Sequence, residues 1–230
     1  MPLFYQPDIS TGFLSPEESR HATKVLRLNT GDSIEITDGK GHRCQAEITG
    51  TDPRQSSFRI VNKTMVPKRN FSIHLAIAPT KQTDRIEWLV EKCGEIGIEK
   101  ITFIQGKKSE RKTIALERLE KILVSAMKQS GQTWLPSLTH MIPFEKFVLG
   151  CRDSQRYIAF VNSSNPDHLN HCVKPGGDYV VMVGPEGDFT LDEVAFANSN
   201  GFRTVSLGPH RLRTETAGLS VCCLLNLINS

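Results

Sequence analysis

The sequence predicts an α/β protein, with a small all-β unit at the amino terminus and a larger, mainly parallel α/β domain after it. Between residues 34 and 60, apolar and polar residues alternate in short runs, which is the period of half-buried strands. After residue 70, continuous apolar runs alternate with segments of helical periodicity, as in parallel sheets that are covered on both faces. The chain of 230 residues, 38% of them hydrophobic, is long enough for both.

The amino-terminal unit begins with a predicted helix. Ser15-Pro16-Glu17-Glu18 has the form of a capping box with proline at the first helical position, and it predicts a short helix that reaches Leu28. We expect the alternating residues that follow to form a small β-barrel; they are Ile34, Ile36, Cys44, Ala46, Ile48, Phe58 and Ile60. Proline and charge at residues 65–70 end the alternation and predict two domains, 1–69 and 70–230.

The second domain has strands and helices in turn. Strands are predicted at residues 71–78, 98–104, 157–161, 179–183 and 204–207, because each is a short apolar run. A helix is predicted from about Asp84, which we expect to cap it together with Glu87. A second helix is predicted from Thr113 to a Ser130-Gly131 stop, and a third from a Thr190–Glu193 capping box to about residue 200.

Two strands of this domain each lead into a loop that contains Gly-Pro. The first loop is Gly184-Pro185-Glu186-Gly187, and the second begins with Gly208-Pro209 and runs through Arg-Leu-Arg-Thr-Glu-Thr into a final apolar helix. Ligands of open α/β sheets bind outside the carboxyl ends of the strands. Tight turns alone would also explain glycine and proline in the first loop, but the polar run of the second is unusual in a passive connection. Together the two loops predict one binding pocket.

Several function classes lose support. The sequence has no GxGxxG, GxxxxGK[ST] or GxSxG motif, so dinucleotide binding, P-loop phosphate transfer and α/β-hydrolase chemistry are not indicated. The six cysteines have no CxxC spacing; we expect reduced core residues, and neither a metal site nor a disulfide framework. A net charge of +3 permits nucleic-acid binding without demonstrating it. No signal peptide or membrane span is visible, and we expect a soluble, cytoplasmic protein.

Motifs along nearly the whole chain resemble the RsmE-type enzymes of the SPOUT methyltransferases. They are HATKVLRL from His21, with Gly31-Asp32; Lys81 with Asp84-Arg85; Glu95-Ile96-Gly97; Ser109-Glu110-Arg111; Gln129-Ser130-Gly131; the GPEG loop; and LGPHRLRTETA from Leu207. The resemblance implies a PUA-like barrel followed by a SPOUT domain with a trefoil knot. It also implies an S-adenosylmethionine-dependent homodimer that methylates N3 of a uridine in 16S ribosomal RNA, with the RNA or the small ribosomal subunit as partner.

The resemblance also assigns site residues. The cofactor-binding set is Val161, Asn162, Val183, Gly184, Pro185, Glu186, Gly187, Ser206, Leu207, Gly208, Pro209, His210, Leu212, Arg213 and Thr216. Glycine permits a close approach of the backbone, so a side chain at Gly187 is predicted to block the cofactor. The RNA-binding set is Lys24, Arg27, Lys81, Arg85, Lys107, Lys108 and Arg111, although a solvated charged loop would explain the cluster from Lys107 to Arg111 as well.

Catalysis is assigned to Arg213 and Glu215. A guanidinium offers paired donors for charge that develops on the uracil carbonyl oxygens, and Glu215 is expected to orient Arg213 or to take the N3 proton. The alternative is a solvated salt bridge between the two at a helix start.

Two departures from the family concern RNA contacts. The usual early arginine is absent from the first residues, and Gln132 stands where an arginine commonly follows Gln-Ser-Gly. Two alternative functions stay open, namely a SPOUT methyltransferase for another RNA position and a non-catalytic RNA-binding protein of ribosome assembly.

Overall fold

A computed structural model describes residues 1–161 and 167–230 of the chain. These residues form two compact units: residues 1–68 with 124–135, and residues 69–123 with 136–230. The whole chain before residue 69 therefore lies in the first unit, and the later segment 124–135 belongs to it as well.

The first unit contains a four-stranded sheet. Its elements are β1 (Leu3–Tyr5), α1 (Pro16–Arg20), β2 (Ser33–Thr37), β3 (His42–Gly50) and β4 (Ser57–Met65). The strands pair in chain order, β1 parallel to β2 and the others antiparallel. The predicted alternation is confirmed by one buried core from Ile34 to Phe58. Ile60 is an exception, since it is 37% exposed although it pairs with the buried Ala46.

The predicted amino-terminal helix is present but shorter. Ser15 Oγ accepts the backbone N–H of Glu18 at 3.2 Å, which is one half of the predicted capping box. The Glu18 carboxylate does not return to Ser15; it accepts two contacts from Lys128 Nζ, at 2.6 and 2.8 Å, within the same unit. The helix continues as a π-helical turn (His21–Val25) and ends before Arg27, whose φ of 55° is left-handed.

The second unit is a six-stranded, wholly parallel sheet with helices. The strands are β5 (Phe71–Ile77), β6 (Lys100–Gln105), β7 (Ser137–Pro143), β8 (Gln155–Ala159), β9 (Gly177–Val183) and β10 (Arg203–Val205). The helices are α2 (Thr83–Ile96), α3 (Leu116–Gln129), α4 (Phe144–Gly150), α5 (Leu169–Cys172), α6 (Leu191–Ser199) and α7 (Thr214–Ile228). Residues of α3 after 123 belong to the first unit.

The strand order β10-β8-β9-β5-β6-β7 confirms the predicted parallel sheet. Central β9 is buried from Tyr179 to Val183, which explains its unbroken apolar run. β7 and α4 were not predicted, because β7 is an edge strand whose residues are mostly half-buried and give no clear period. The knot implied by the resemblance stays a prediction.

Local helix signals have mixed outcomes. The Thr190–Glu193 capping box is confirmed, with both of its hydrogen bonds present. The expected capping of α2 by Asp84 and Glu87 is wrong, because Gln82 is the N-cap residue and makes no side-chain cap. The Glu87 carboxylate instead accepts Arg118 Nη2 at 2.8 Å, a contact from outside its own helix.

The cysteines are all free, and the expectation that all six lie in the core is wrong for two of them. Cys172 is half-buried, and Cys223 on α7 is exposed. The others are buried, and burial raises the pKa of Cys151 to about 11.

Candidate active site

A cavity lies where the loops after β8, β9 and β10 meet the start of α7. Its volume is about 820 Å³, within the range of small-molecule sites. We call it the central cavity. Its walls are Arg85, Ala159, Phe160, Val161, His168, Val183, Gly184, Pro185, Glu186, Asp188, Ser206 to Glu215, and Ala217. The two Gly-Pro loops therefore line one cavity, as strands that end at the same edge of a parallel sheet predict.

The loop after β9 is a tight turn fixed by Asp188. The backbone N–H of Asp188 donates to Pro185 O at 2.9 Å, and Asp188 itself has a left-handed φ of 58°. Its Oδ2 accepts the N–H of Val161 at 3.1 Å, which ties this loop to the end of β8. A Cβ on Gly184 would lie 3.1 Å from both Asp188 Oδ1 and Phe189 N, so the turn leaves little room for a side chain there.

The loop after β10 turns at Gly208, which has a φ of 131°. L side chains rarely adopt this conformation, and this explains glycine at the position. Ser206 Oγ stabilises the turn, since it accepts the N–H of Gly208 at 3.1 Å and donates to Gly208 O at 3.0 Å. The Ser206 backbone is held in turn by Asp167 O and by the N–H of Leu169.

Two side chains join the loops to each other. Arg211 Nη2 donates to Glu186 O at 3.1 Å, and the buried Thr214 Oγ1 donates to Gly184 O at 3.1 Å. Because Thr214 is the first residue of α7, the second contact sets the start of that helix against the first loop. These two hydrogen bonds connect the walls of the cavity.

Arg213 and Glu215 both line the central cavity, but they do not form the salt bridge considered from the sequence. The guanidinium of Arg213, an exposed residue, has no partner among the residues that the structure describes. Glu215 is 7% exposed and pairs with Arg85 of α2, with Arg85 Nε 3.6 Å from Glu215 Oε1. Its other oxygen, Oε2, is buried and lacks a hydrogen-bond partner in the described part of the chain. Within the described part of the chain, the cavity therefore offers a guanidinium without a partner and a buried acceptor without one.

Most of the residues assigned to the cofactor meet in this cavity. Those that line it are Val161, Val183, Gly184, Pro185, Glu186, Ser206, Leu207, Gly208, Pro209, His210, Leu212 and Arg213. Gly187 and Thr216 do not line it: a Cβ on Gly187 would lie 3.2 Å from Lys108 Cδ, and Thr216 is an exposed residue of α7. Asn162 lies outside the described residues.

Sequence reasoning missed several wall residues. They are Ala159, Phe160, His168, Asp188, Arg211, Thr214 and Ala217. Asp188 and Arg211 stood within the two loops, directly beside assigned residues, so their position in the loops was the available signal. His168 gave none, since it reaches Ser206 only through an isolated bridge between strand-like segments.

The residues assigned to RNA fall into three places. Arg85 lines the central cavity. The others of the second unit surround the loops: Lys81 pairs with Glu110 at 3.3 Å, Lys107 with Asp192 at 3.4 Å, Lys108 Nζ donates to Gly187 O, and Arg111 Nη2 donates to Lys81 O. Lys24 and Arg27 are exposed residues of the first unit.

No cluster of three or more His, Cys, Asp or Glu side chains able to hold a metal ion occurs in residues 1–161 and 167–230. Over the same ranges, no helix has the length and apolar character needed to cross a membrane.

Comparisons with known proteins match the whole chain. A family model described as an RNA methyltransferase domain matches residues 67–226, and one described as an RNA methyltransferase PUA domain matches residues 14–61. The crystal structure of a probable rRNA-methyltransferase from Porphyromonas gingivalis is 38% identical and superposes with a TM-score of 0.95, covering 100% of this chain and 98% of that one.

Two further relatives carry more explicit names. A ribosomal RNA small subunit methyltransferase E from Neisseria gonorrhoeae, solved bound to S-adenosyl methionine, is 27% identical with a TM-score of 0.86, over 100% of this chain and 98% of that one. The enzyme of the same name from Rickettsia conorii is 25% identical over 94% of this chain and 90% of its own length.

Proposed function

Because the chain belongs to the RNA methyltransferase family and also matches that family's PUA domain, we propose that it is an S-adenosylmethionine-dependent 16S rRNA (uracil-N3)-methyltransferase. The observation that carries the proposal is the central cavity, where two glycine-containing loops meet an arginine and a buried carboxylate oxygen that have no partners among the described residues. The relative from Neisseria gonorrhoeae, bound to S-adenosyl methionine, supports the cofactor.

The residues of the central cavity suit this cofactor. Val183, Leu207 and Leu212 provide apolar walls for an adenosine, and the loop backbones provide donors and acceptors beside them. Glu215 supplies a carboxylate, which suits the positive charge of a sulfonium ligand. When bound, the cofactor supplies an electrophilic methyl group on its sulfonium sulfur.

Arg213 and Glu215 have different roles toward the uracil. N3 of the base carries a proton that must leave as the methyl group arrives. We assign proton acceptance to Glu215, because its Oε2 has no hydrogen-bond partner among the described residues while its other oxygen forms an ion pair with Arg85. The Arg213 guanidinium donates to a uracil carbonyl oxygen and stabilises the negative charge that develops there. Orientation of Arg213 by Glu215 receives no support, since Glu215 pairs with Arg85.

RNA binding is proposed for basic residues of both units. Lys81, Lys107, Lys108 and Arg111 surround the loops of the second unit, and Lys24 and Arg27 are exposed in the first. Lysine and arginine side chains supply most phosphate contacts in nucleic-acid complexes. Ribosomal RNA as the substrate also implies a cytoplasmic location.

A homodimer is part of the proposal, and apolar residues on α2 and α7 support it. Trp88 and Ile96 of α2 are each 41% exposed, and Leu227 of α7 is 75% exposed. The two helices pack against each other, so these residues belong to neighbouring elements of one unit. Exposed apolar side chains on paired helices are typical of a surface that a second subunit covers.

Mass spectrometry of ribosomal RNA nucleosides tests the function directly. Deletion of the gene should remove 3-methyluridine from one 16S position, and the wild-type gene should restore it while Arg213→Ala does not. Loss of a different methylated nucleoside would assign another RNA position. An unchanged nucleoside profile, combined with no cofactor binding by calorimetry, would favour the non-catalytic RNA-binding alternative.

A further inference from the structure

A second cavity, of about 440 Å³, shares Phe160, Val161, Asp188 and Arg211 with the central cavity. Its remaining walls are Lys108 and residues 189–192. We call it the flanking cavity. We propose that it binds a nucleotide of the RNA strand next to the uridine that is methylated, an inference that rests on the proposed function.

Two cations of this cavity are held in place and still have free donors. Lys108 Nζ donates to Gly187 O at 2.8 Å, and Arg211 Nη2 donates to Glu186 O at 3.1 Å. Both side chains therefore cross the same loop, each through one hydrogen bond to its backbone. An ammonium carries three N–H donors and a guanidinium five. The remaining donors have no other partner within the described residues, and they suit the oxygens of a phosphate.

The two carboxylates of the flanking cavity are already paired. Asp188 accepts the N–H of Phe189 at 2.8 Å on one oxygen and that of Val161 at 3.1 Å on the other. Asp192 Oδ2 lies 3.4 Å from Lys107 Nζ. An anionic ligand would therefore meet cations with free donors, while both oxygens of Asp188 already accept backbone N–H groups and Asp192 faces Lys107.

The cavity also has an apolar side that a phosphate alone would not need. Leu191 is 73% exposed and Val161 is 62% exposed, and the half-buried ring of Phe160 lines the cavity with them. Every nucleotide base can stack its flat face on apolar and aromatic side chains, so this contact does not depend on the RNA sequence. Apolar walls together with cations match a nucleotide, which has both a base and a phosphate.

The two cavities are adjacent and share walls. The central cavity is assigned to the cofactor and the target uracil, and four residues form walls of both cavities. Neighbouring nucleotides of one strand occupy neighbouring sites, so a continuous RNA that places its uridine in the central cavity passes through the flanking cavity.

Two variants test this inference, each with a matched control. Lys108→Ala removes a proposed phosphate contact, and Leu191→Ser removes an apolar contact of an exposed residue at the start of α6. The controls are Lys146→Ala and Leu149→Ser, because both residues are exposed on α4 and lie outside both cavities. The KM for an unmethylated 16S rRNA transcript is measured at several salt concentrations, and S-adenosylmethionine affinity is measured by calorimetry.

We expect both cavity variants to raise the KM for the transcript by about three- to tenfold, with cofactor affinity within about twofold of the parent. Lys108→Ala should reduce the slope of log KM against log salt by about 0.7, the value for one phosphate of a single strand, and Leu191→Ser should leave the slope unchanged. The control variants should behave like the parent protein.

Two results would overturn the inference. One is an unchanged transcript KM in both cavity variants while the parent methylates the transcript, and the other is a loss of cofactor affinity in Leu191→Ser, which would assign the flanking cavity to the cofactor. A parent protein that methylates no ribosomal RNA would instead remove the proposed function, and the inference with it.

Discussion

Arg85 Nε lies 3.6 Å from Glu215 Oε1, and the second oxygen of the same carboxylate is buried without a partner among the described residues. A buried acceptor that stays unpaired costs about 1–3 kcal/mol, so its retention in a cavity wall indicates a group kept for a ligand. In the proposed mechanism, the ion pair with Arg85 would orient the carboxylate and leave Oε2 to the substrate.

Glu215→Gln tests proton acceptance. An amide has nearly the same shape as the carboxylate but is a far weaker base, so we expect kcat to fall by about a hundredfold or more while S-adenosylmethionine affinity stays within about twofold. Single-turnover methylation of a 16S rRNA transcript measures the first quantity and calorimetry the second. Full turnover in Glu215→Gln would remove Glu215 as the proton acceptor.

Arg85→Ala tests the positioning of that carboxylate. Without its partner, Glu215 can reorient, and we expect kcat to fall by about tenfold through a misplaced acceptor. Arg118→Ala is the matched control, because Arg118 also pairs with a glutamate of the same unit, Glu87, and neither residue lines the central cavity. Equal turnover in the two variants would contradict a positioning role, whereas a similar fall in melting temperature would not.

Arg213→Ala and Arg213→Lys test charge stabilisation on the uracil. The Arg213 guanidinium has no partner in the part of the chain that the structure describes, so its removal should not disturb the fold. Loss of one such donor typically lowers kcat by about 10²- to 10³-fold, and lysine should restore only part of the rate because it lacks paired donors. Unchanged kcat in Arg213→Ala, from saturating steady-state assays, would end its catalytic assignment.

Many residues of the central cavity could be predicted from the sequence, because they directly follow predicted strands. Gly184, Pro185, Leu207 and Gly208 directly follow apolar strands, and parallel strands bring their carboxyl ends to one edge. The ion pair of Glu215 was not predicted. Arg85 is far away in the sequence, and nothing in either local pattern indicates which cation packs against which carboxylate.

The wrong capping-box prediction for Glu18 has the same physical origin, and the assignment of Gly187 to the cofactor stays a prediction. Glu18 has the position of a capping-box residue, yet its carboxylate binds Lys128, a competitor from a distant segment. Gly187 lies in the correct loop, but its Cβ position faces Lys108 and not the central cavity. A sequence motif predicts where a loop lies. The orientation of each side chain depends on backbone torsion angles, which the motif does not specify.

Trp88→Glu and Leu227→Glu test the homodimer. A charge at either position would be desolvated in an interface but solvated in a monomer, so we expect both variants to sediment as monomers where the parent is a dimer. Leu149→Glu is the control, since Leu149 is 59% exposed on α4. Analytical ultracentrifugation reads the outcome. A parent that is monomeric at micromolar concentration would contradict the homodimer itself, and dimeric variants would contradict this interface.

Gly208→Ala should weaken the cofactor through backbone strain. With a φ of 131°, an L residue at this position costs about 1–3 kcal/mol, and the loop can relieve that cost only by leaving the conformation that lines the central cavity. We expect S-adenosylmethionine affinity to fall by about tenfold. Gly31→Ala is matched in strain, with a φ of 95° and open space around its Cβ, but it lies in the first unit.

Gly31→Ala should therefore lower the melting temperature and leave cofactor affinity unchanged. Gly187→Ala completes the set, because its Cβ would meet the aliphatic stem of Lys108 and no wall of the central cavity, so calorimetry should show near-parent affinity. If Gly208→Ala and Gly31→Ala reduced affinity equally, the loss would reflect general destabilisation. If only Gly187→Ala reduced it, the first loop would have to turn toward the cofactor on binding.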